Sequence, residues 1–112
     1  MIGRSRLARI VAACVGGPLF CAVPISATAA PHVYTVVIDK LRFGPLPAKL
    51  HQGDTILWVN KDMFRHTATA LDHSFDIDLM PGQSGKAVLA KTGPISFVCR
   101  YHPSMKGVLQ VK

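Results

Sequence analysis

Cys99-Arg100-Tyr101-His102-Pro103-Ser104-Met105 places a thiol, an imidazole and a thioether at positions i, i+3 and i+6. Just before it, Ile95-Ser96-Phe97-Val98-Cys99 alternates, with Ile95, Phe97 and Cys99 on one face, and reads as a half-buried strand. Just after it, Gly107 to Val111 reads as another strand. The thiol therefore stands at the end of a rigid element, and a short loop brings two more donors back toward it. Pro103 stiffens that loop by fixing its backbone angle. Soft sulfur donors combined with imidazole favour copper. Two histidines and a thiolate in a plane, with a weak axial methionine, make the blue-copper arrangement. The second histidine must come from elsewhere, and His66 is the best candidate because it opens its own apolar-alternating segment after Met63 and Phe64.

Working outward, strands are expected at Val33 to Ile38, Thr55 to Val59, His66 to Leu71 and Lys86 to Ala90. Gly44-Pro45, Gln52-Gly53-Asp54, Asn60-Lys61-Asp62, Pro81-Gly82 and Thr92-Gly93-Pro94 punctuate them. No helix longer than a turn or two is expected. Short strands at this spacing indicate an all-β sandwich. Asp72, Asp76 and Asp78 lack the glycine and terminal glutamate of an EF-hand loop and read as exposed loop charges. Met63 and Met80 read as packing residues, and His51 and His73 as solvated.

The amino end has a different character. Arg4, Arg6 and Arg9 precede an apolar run from Ile10 to Val23, and Ala27-Thr28-Ala29 has the small-x-small pattern of a signal-peptidase site. The run is too short for a membrane span, which needs about 20 apolar residues. Residues 1–29 are thus expected to be a cleaved signal peptide and 30–112 the domain, with no stable membrane insertion afterwards. Val11-Ala12-Ala13-Cys14 resembles a lipoprotein box, but too few apolar residues separate Arg9 from Cys14 for lipidation there to be the preferred reading. Cys14 and Cys21 leave with the signal. Cys99 stays alone, and an unpaired thiol in an oxidising compartment survives best when a metal occupies it.

The formal charge of the whole chain is +7. Without Arg4, Arg6 and Arg9, ten lysines and arginines face six aspartates, a net +4, and there is no glutamate. The cations are scattered rather than clustered with aromatics, which argues against nucleic-acid binding. His32 would be third after cleavage, but Pro31 has no N–H to give, so an amino-terminal copper site is not expected.

Trp58-Val59-Asn60, then His66, then Cys99-x-x-His102-Pro103-x-Met105-x-Gly107 resembles the cupredoxins, and the amicyanin branch in particular, in order and spacing. Two residues on each side of the loop histidine match that branch better than the longer loops of plastocyanin, pseudoazurin or azurin. The resemblance covers nearly all of residues 33 to 112. It implies a Greek-key β-sandwich with one copper ion at one end, held by His66, Cys99, His102 and Met105. It also implies a periplasmic one-electron carrier rather than an enzyme. Partners of that branch include a quinoprotein dehydrogenase and c-type cytochromes; another periplasmic oxidoreductase would serve equally. Many cupredoxins carry Asn directly after the first histidine, where this chain has Thr67, whose hydroxyl can still hydrogen-bond. The resemblance further implies that the His102 edge reaches the surface within an apolar rim of Phe64, Pro103 and Met63.

Two other functions use the same residues. A copper-storage or delivery protein needs labile copper, and commonly relies on exposed Met and His rather than a strand-end thiolate. A Cys-His enzyme would use Cys99 as nucleophile, but no oxyanion or substrate-pocket signature accompanies it, and Met105 would have no role.

Overall fold

The computed structural model describes residues 16–22 and 30–112. The expected signal segment and Cys14 lie largely outside the described residues. Eight strands follow in order: β1 (Val33–Asp39), β2 (Arg42–Phe43), β3 (Thr55–Asn60), β4 (His66–Ala70), β5 (Asp76–Leu79), β6 (Ser84–Val88), β7 (Gly93–Val98) and β8 (Lys106–Val111). They form two four-stranded sheets, ordered β2-β1-β3-β6 and β5-β4-β7-β8. β1 and β3 run parallel, with Val33 opposite Thr55 and Ile38 opposite Asn60, and the other pairs are antiparallel. The all-β, two-sheet architecture is the one the strand spacing indicates. No helix among the described residues is long and apolar enough to cross a membrane.

Alternation explains which side chains enter the core. Ile56 and Trp58 of β3, Ala68 and Ala70 of β4, Ile95 and Phe97 of β7, and Leu109 and Val111 of β8 are buried; their neighbours are more exposed, except Thr67 of β4, which is buried as well. Four aromatics meet in the middle. Phe97 lies 4.8 Å from Phe43 and 5.1 Å from Trp58 between ring centres, and Trp58 lies 5.8 Å from Phe75, geometries suited to edge-on and tilted aromatic packing. Gly107 makes room for that cluster: a Cβ there would stand 2.6 Å from Phe97 Cζ.

Three expectations need correction. Asp76 and Asp78 are not loop charges; they alternate with Ile77 along β5, which pairs with β4. Met63 and Met80 are exposed rather than packed. The strand expected at 86–90 runs two residues earlier, through Gly85, whose missing side chain admits Ile77 Cγ2 at 2.7 Å from where a Cβ would be. β2 has only two residues, too few to show a period, yet it delivers Phe43 to the core.

Between the sheets' ends, the 44–54 segment is fastened by Asp54. Its buried carboxylate accepts the His32 N–H at 2.9 Å and the His51 N–H at 2.8 Å. Those donors hold its carboxyl below the usual carboxylate range despite desolvation.

Candidate metal centre

Cys99 directly follows β7, and its N–H donates to the Met105 carbonyl at 3.0 Å; the Met105 N–H donates to the His102 carbonyl at 2.8 Å. These two bonds close the 99–105 loop where β7 and β8 meet, opposite Val98 and Lys106. Met105 is buried at the loop's end. His66 opens β4 from the same sheet and is fully buried, as is Cys99.

The sequence-derived donors converge. His66 Nδ1 stands 3.7 Å and His102 Nδ1 3.8 Å from Cys99 Sγ, and the three donor atoms lie within 4.8 Å of one another. The two imidazole rings are 4.9 Å apart between centres. With zinc-like bonds of about 2.0 Å to nitrogen and about 2.3 Å to sulfur, a nitrogen and a sulfur about 120° apart around one ion sit about 3.7 Å from each other. The two sulfur–nitrogen separations therefore fit a single ion. The donor types, two imidazoles and a thiol with a buried thioether beside them, select copper.

The surroundings prepare each donor. The Thr67 N–H points at Cys99 Sγ from 3.3 Å. Burial pushes the Cys99 thiol up, but hydrogen bonds, that of the Thr67 N–H first, outweigh burial and bring it down to about 6. A substantial share of the metal-free thiol is then ionised at neutral pH, as a metal ligand must be. The Thr67 hydroxyl accepts the Arg100 N–H at 2.9 Å and so ties the two donor-bearing segments together. Threonine serves where many relatives are expected to use asparagine.

Asp62 is the functional residue that sequence reading missed; the segment reads only as a turn. Its buried carboxylate accepts from the Leu41 N–H at 2.8 Å and the Met63 N–H at 2.8 Å, and lies 2.8 Å from His66 Nε2. The Leu41 N–H, then His66, hold the carboxyl below its ordinary range against desolvation, so it is ionised. A carboxylate can only accept, so His66 carries its proton on Nε2. Its Nδ1 lone pair then faces Cys99, the tautomer a ligand needs. Asn60 completes the support: its amide donates to the Phe64 and Leu79 carbonyls at 2.8 and 3.1 Å, and its oxygen accepts the Asp62 N–H at 2.9 Å.

His102 differs from the other two donors in being only half-buried. Phe64 stands edge-on to it, 6.1 Å between ring centres. Phe64 is exposed, as are Met63 beside it in the chain and Tyr101 and Pro103 on either side of His102. His51 and His73 are exposed elsewhere.

The architecture and this donor set are those of a small β-sandwich metalloprotein. The family model of the cupredoxin-like domain matches residues 10–111, and the chain belongs to that family. Among solved structures, the fold is similar to a Cu(I) form of an amicyanin methionine-to-alanine variant. The TM-score is 0.65 at 20% identity, over 75% of this chain and 86% of that one. An oxidised amicyanin proline-to-alanine variant gives a TM-score of 0.64 at 20% identity, over 71% and 82%. These likenesses concern the fold; the chemistry of the site rests on its own residues.

Proposed function

We propose that the chain is an exported blue-copper protein that carries one electron at a time, and that His66, Cys99, His102 and Met105 would hold its copper ion. The convergence of two imidazole Nδ1 atoms on one buried thiol, at the separation expected across a single ion, supports this reading above all. When bound, the copper ion supplies the Cu(II)/Cu(I) couple. The chain's own residues do the rest. Asp62 keeps His66 in the ligating tautomer, and the Thr67 N–H keeps Cys99 as a thiolate. Strand ends and the bonded 99–105 loop hold the donors in a set arrangement, so that little need rearrange between oxidation states.

His102 is the donor nearest solvent, and the apolar ring around it suits a small, short-lived docking face for a redox protein. A quinoprotein dehydrogenase, a c-type cytochrome or another periplasmic oxidoreductase is the expected kind of partner, with the scattered lysines steering acidic ones. Residues 1–29 serve as the leader that brings residues 30–112 to the periplasm.

Copper storage or delivery uses the same donors, and retention separates the two. The copper-loaded protein is cycled repeatedly between ascorbate and ferricyanide in the presence of a Cu(I) chelator. A carrier keeps its copper and its spectrum throughout. Loss of copper to the chelator within the first reductions would refute the carrier in favour of delivery.

A further inference from the structure

The two fully buried donors, His66 and Cys99, each have an arginine for a chain neighbour, Arg65 before His66 and Arg100 after Cys99, and both arginines reach the same strand. Arg65 grips Asp78 with a fork, Nε to Oδ1 at 2.9 Å and Nη2 to Oδ2 at 2.6 Å. Arg100 pairs through Nη1 with Asp76, and its Nη2 lies 3.7 Å from Asp78 Oδ2. Tyr101, between Arg100 and His102, brings its hydroxyl to 3.4 Å from Asp78 Oδ2, and the Arg65 guanidinium carbon lies 5.1 Å from the centre of its ring. Asp76 and Asp78, two residues apart on β5, share one face of the sheet.

A second path joins the same parts. The Arg100 N–H donates to Thr67 Oγ1, the hydroxyls of Thr67 and Thr69 are 2.9 Å apart, and Thr69 Oγ1 is 2.8 Å from Asp76 Oδ1. A main-chain N–H at one end and an ionised carboxylate at the other set the direction of every bond: Thr67 donates to Thr69, and Thr69 donates to Asp76. Asp76 then pairs with the Arg100 side chain, so the chain of bonds begins and ends on one residue.

An isolated exposed ion pair contributes little, but forked arginines joined in a network are the exception. Within the 99–105 loop, backbone bonds fasten only the side toward β8. We infer that Asp76 and Asp78 are positioning residues: with Arg65 and Arg100 they form a clamp that holds the Cys99–His102 segment against β4, ordering the donors before a metal arrives and slowing copper release. This rests on the copper reading above.

The test compares the unmodified protein with Asp76→Asn/Asp78→Asn and with Asp72→Asn. Asp72 pairs with Lys91 at 3.7 Å, in neither donor segment, and serves as the control. Two quantities are read: the rate of copper transfer to excess Cu(I) chelator, and amide hydrogen exchange at Arg100 to His102 in the metal-free protein. The double variant should release copper about 10-fold faster, in line with losses seen when groups supporting metal ligands are removed. Its Arg100–His102 amides should exchange faster, while Asp72→Asn changes neither. Salt at 1 M, where the screening length is about 3 Å, should speed release from the unmodified protein and leave the double variant unaffected. Equal release and exchange in the double variant and the unmodified protein, or equal acceleration by Asp72→Asn, would overturn the clamp. If the unmodified protein takes up no copper, the copper reading fails instead, and the exchange measurement alone still decides whether the clamp orders the loop.

Discussion

Replacing Asp62 by asparagine changes one atom in a buried position, and its consequences follow from the bonds that atom makes. Asp62 Oδ2 accepts from both Leu41 N and His66 Nε2, and Oδ1 accepts from Met63 N. An asparagine has one accepting oxygen. If that oxygen faces Leu41 and His66, its NH2 confronts the Met63 N–H, donor against donor. If the amide is flipped, its NH2 faces His66 Nε2 and favours the opposite tautomer, which puts a proton on Nδ1 and aims it at Cys99. One orientation strains the turn and the other disarms the ligand. Neither keeps a negative charge beside His66. Groups that orient metal-ligating histidines typically contribute about 10- to 100-fold in metal affinity, and Asp62→Asn is expected to weaken copper binding within that range. Competition against a chelator of known affinity measures the loss, and nitrogen NMR of the metal-free protein reads the His66 tautomer directly. Affinity within twofold of the unmodified protein, with His66 still protonated on Nε2, would refute the role given to Asp62.

Two further predictions concern the scaffold. Gly107→Ala drives a methyl into Phe97, whose ring is held by Phe43, Trp58 and Phe75 and has little room to move; overpacking of this kind costs about 1–3 kcal/mol. The sole tryptophan, Trp58, is fully buried and reports unfolding in denaturant by fluorescence, so the midpoint should fall with little change in slope. Asp54 has its carboxyl pKa depressed by the His32 and His51 amides. Its contribution is therefore present above the unfolded-state value of about 3.9 and is lost as pH falls through the lower folded value. Asp54→Asn should lower the melting temperature at neutral pH and make its decline below about pH 4 shallower; an unchanged acid limb would contradict the assignment.

What the sequence disclosed follows from how far each interaction reaches along the chain. Cys99, His102 and Met105 are legible because three donors fall within seven residues and a strand leads straight into them. His66 is legible because it opens a strand-like segment of its own, and the spacing that resembles a family points to it as well. β5 is hidden because Asp76-Ile77-Asp78 looks like a solvated loop. What makes those carboxylates tolerable in a strand is Arg65 and Arg100, which lie 13 and 24 residues from their partners. Gly85 disguises the start of β6 for a similar reason, since a glycine inside a strand reads as a break until the Ile77 side chain that fills its place is known. Asp62 looks like a turn residue because three residues of loop separate it from the histidine it orients. Threonine after the first histidine looks like a departure, yet its hydroxyl still accepts the bond that joins the two donor segments.

The central claim, that Cys99 binds copper as a thiolate, is tested most directly by the visible absorption spectrum of the purified protein after addition of Cu(II), with Cys99→Ser alongside. The account predicts an intense blue thiolate-to-copper band at one copper per chain that is absent from the serine variant. Copper bound with only a weak band, or a band that survives Cys99→Ser, would contradict it.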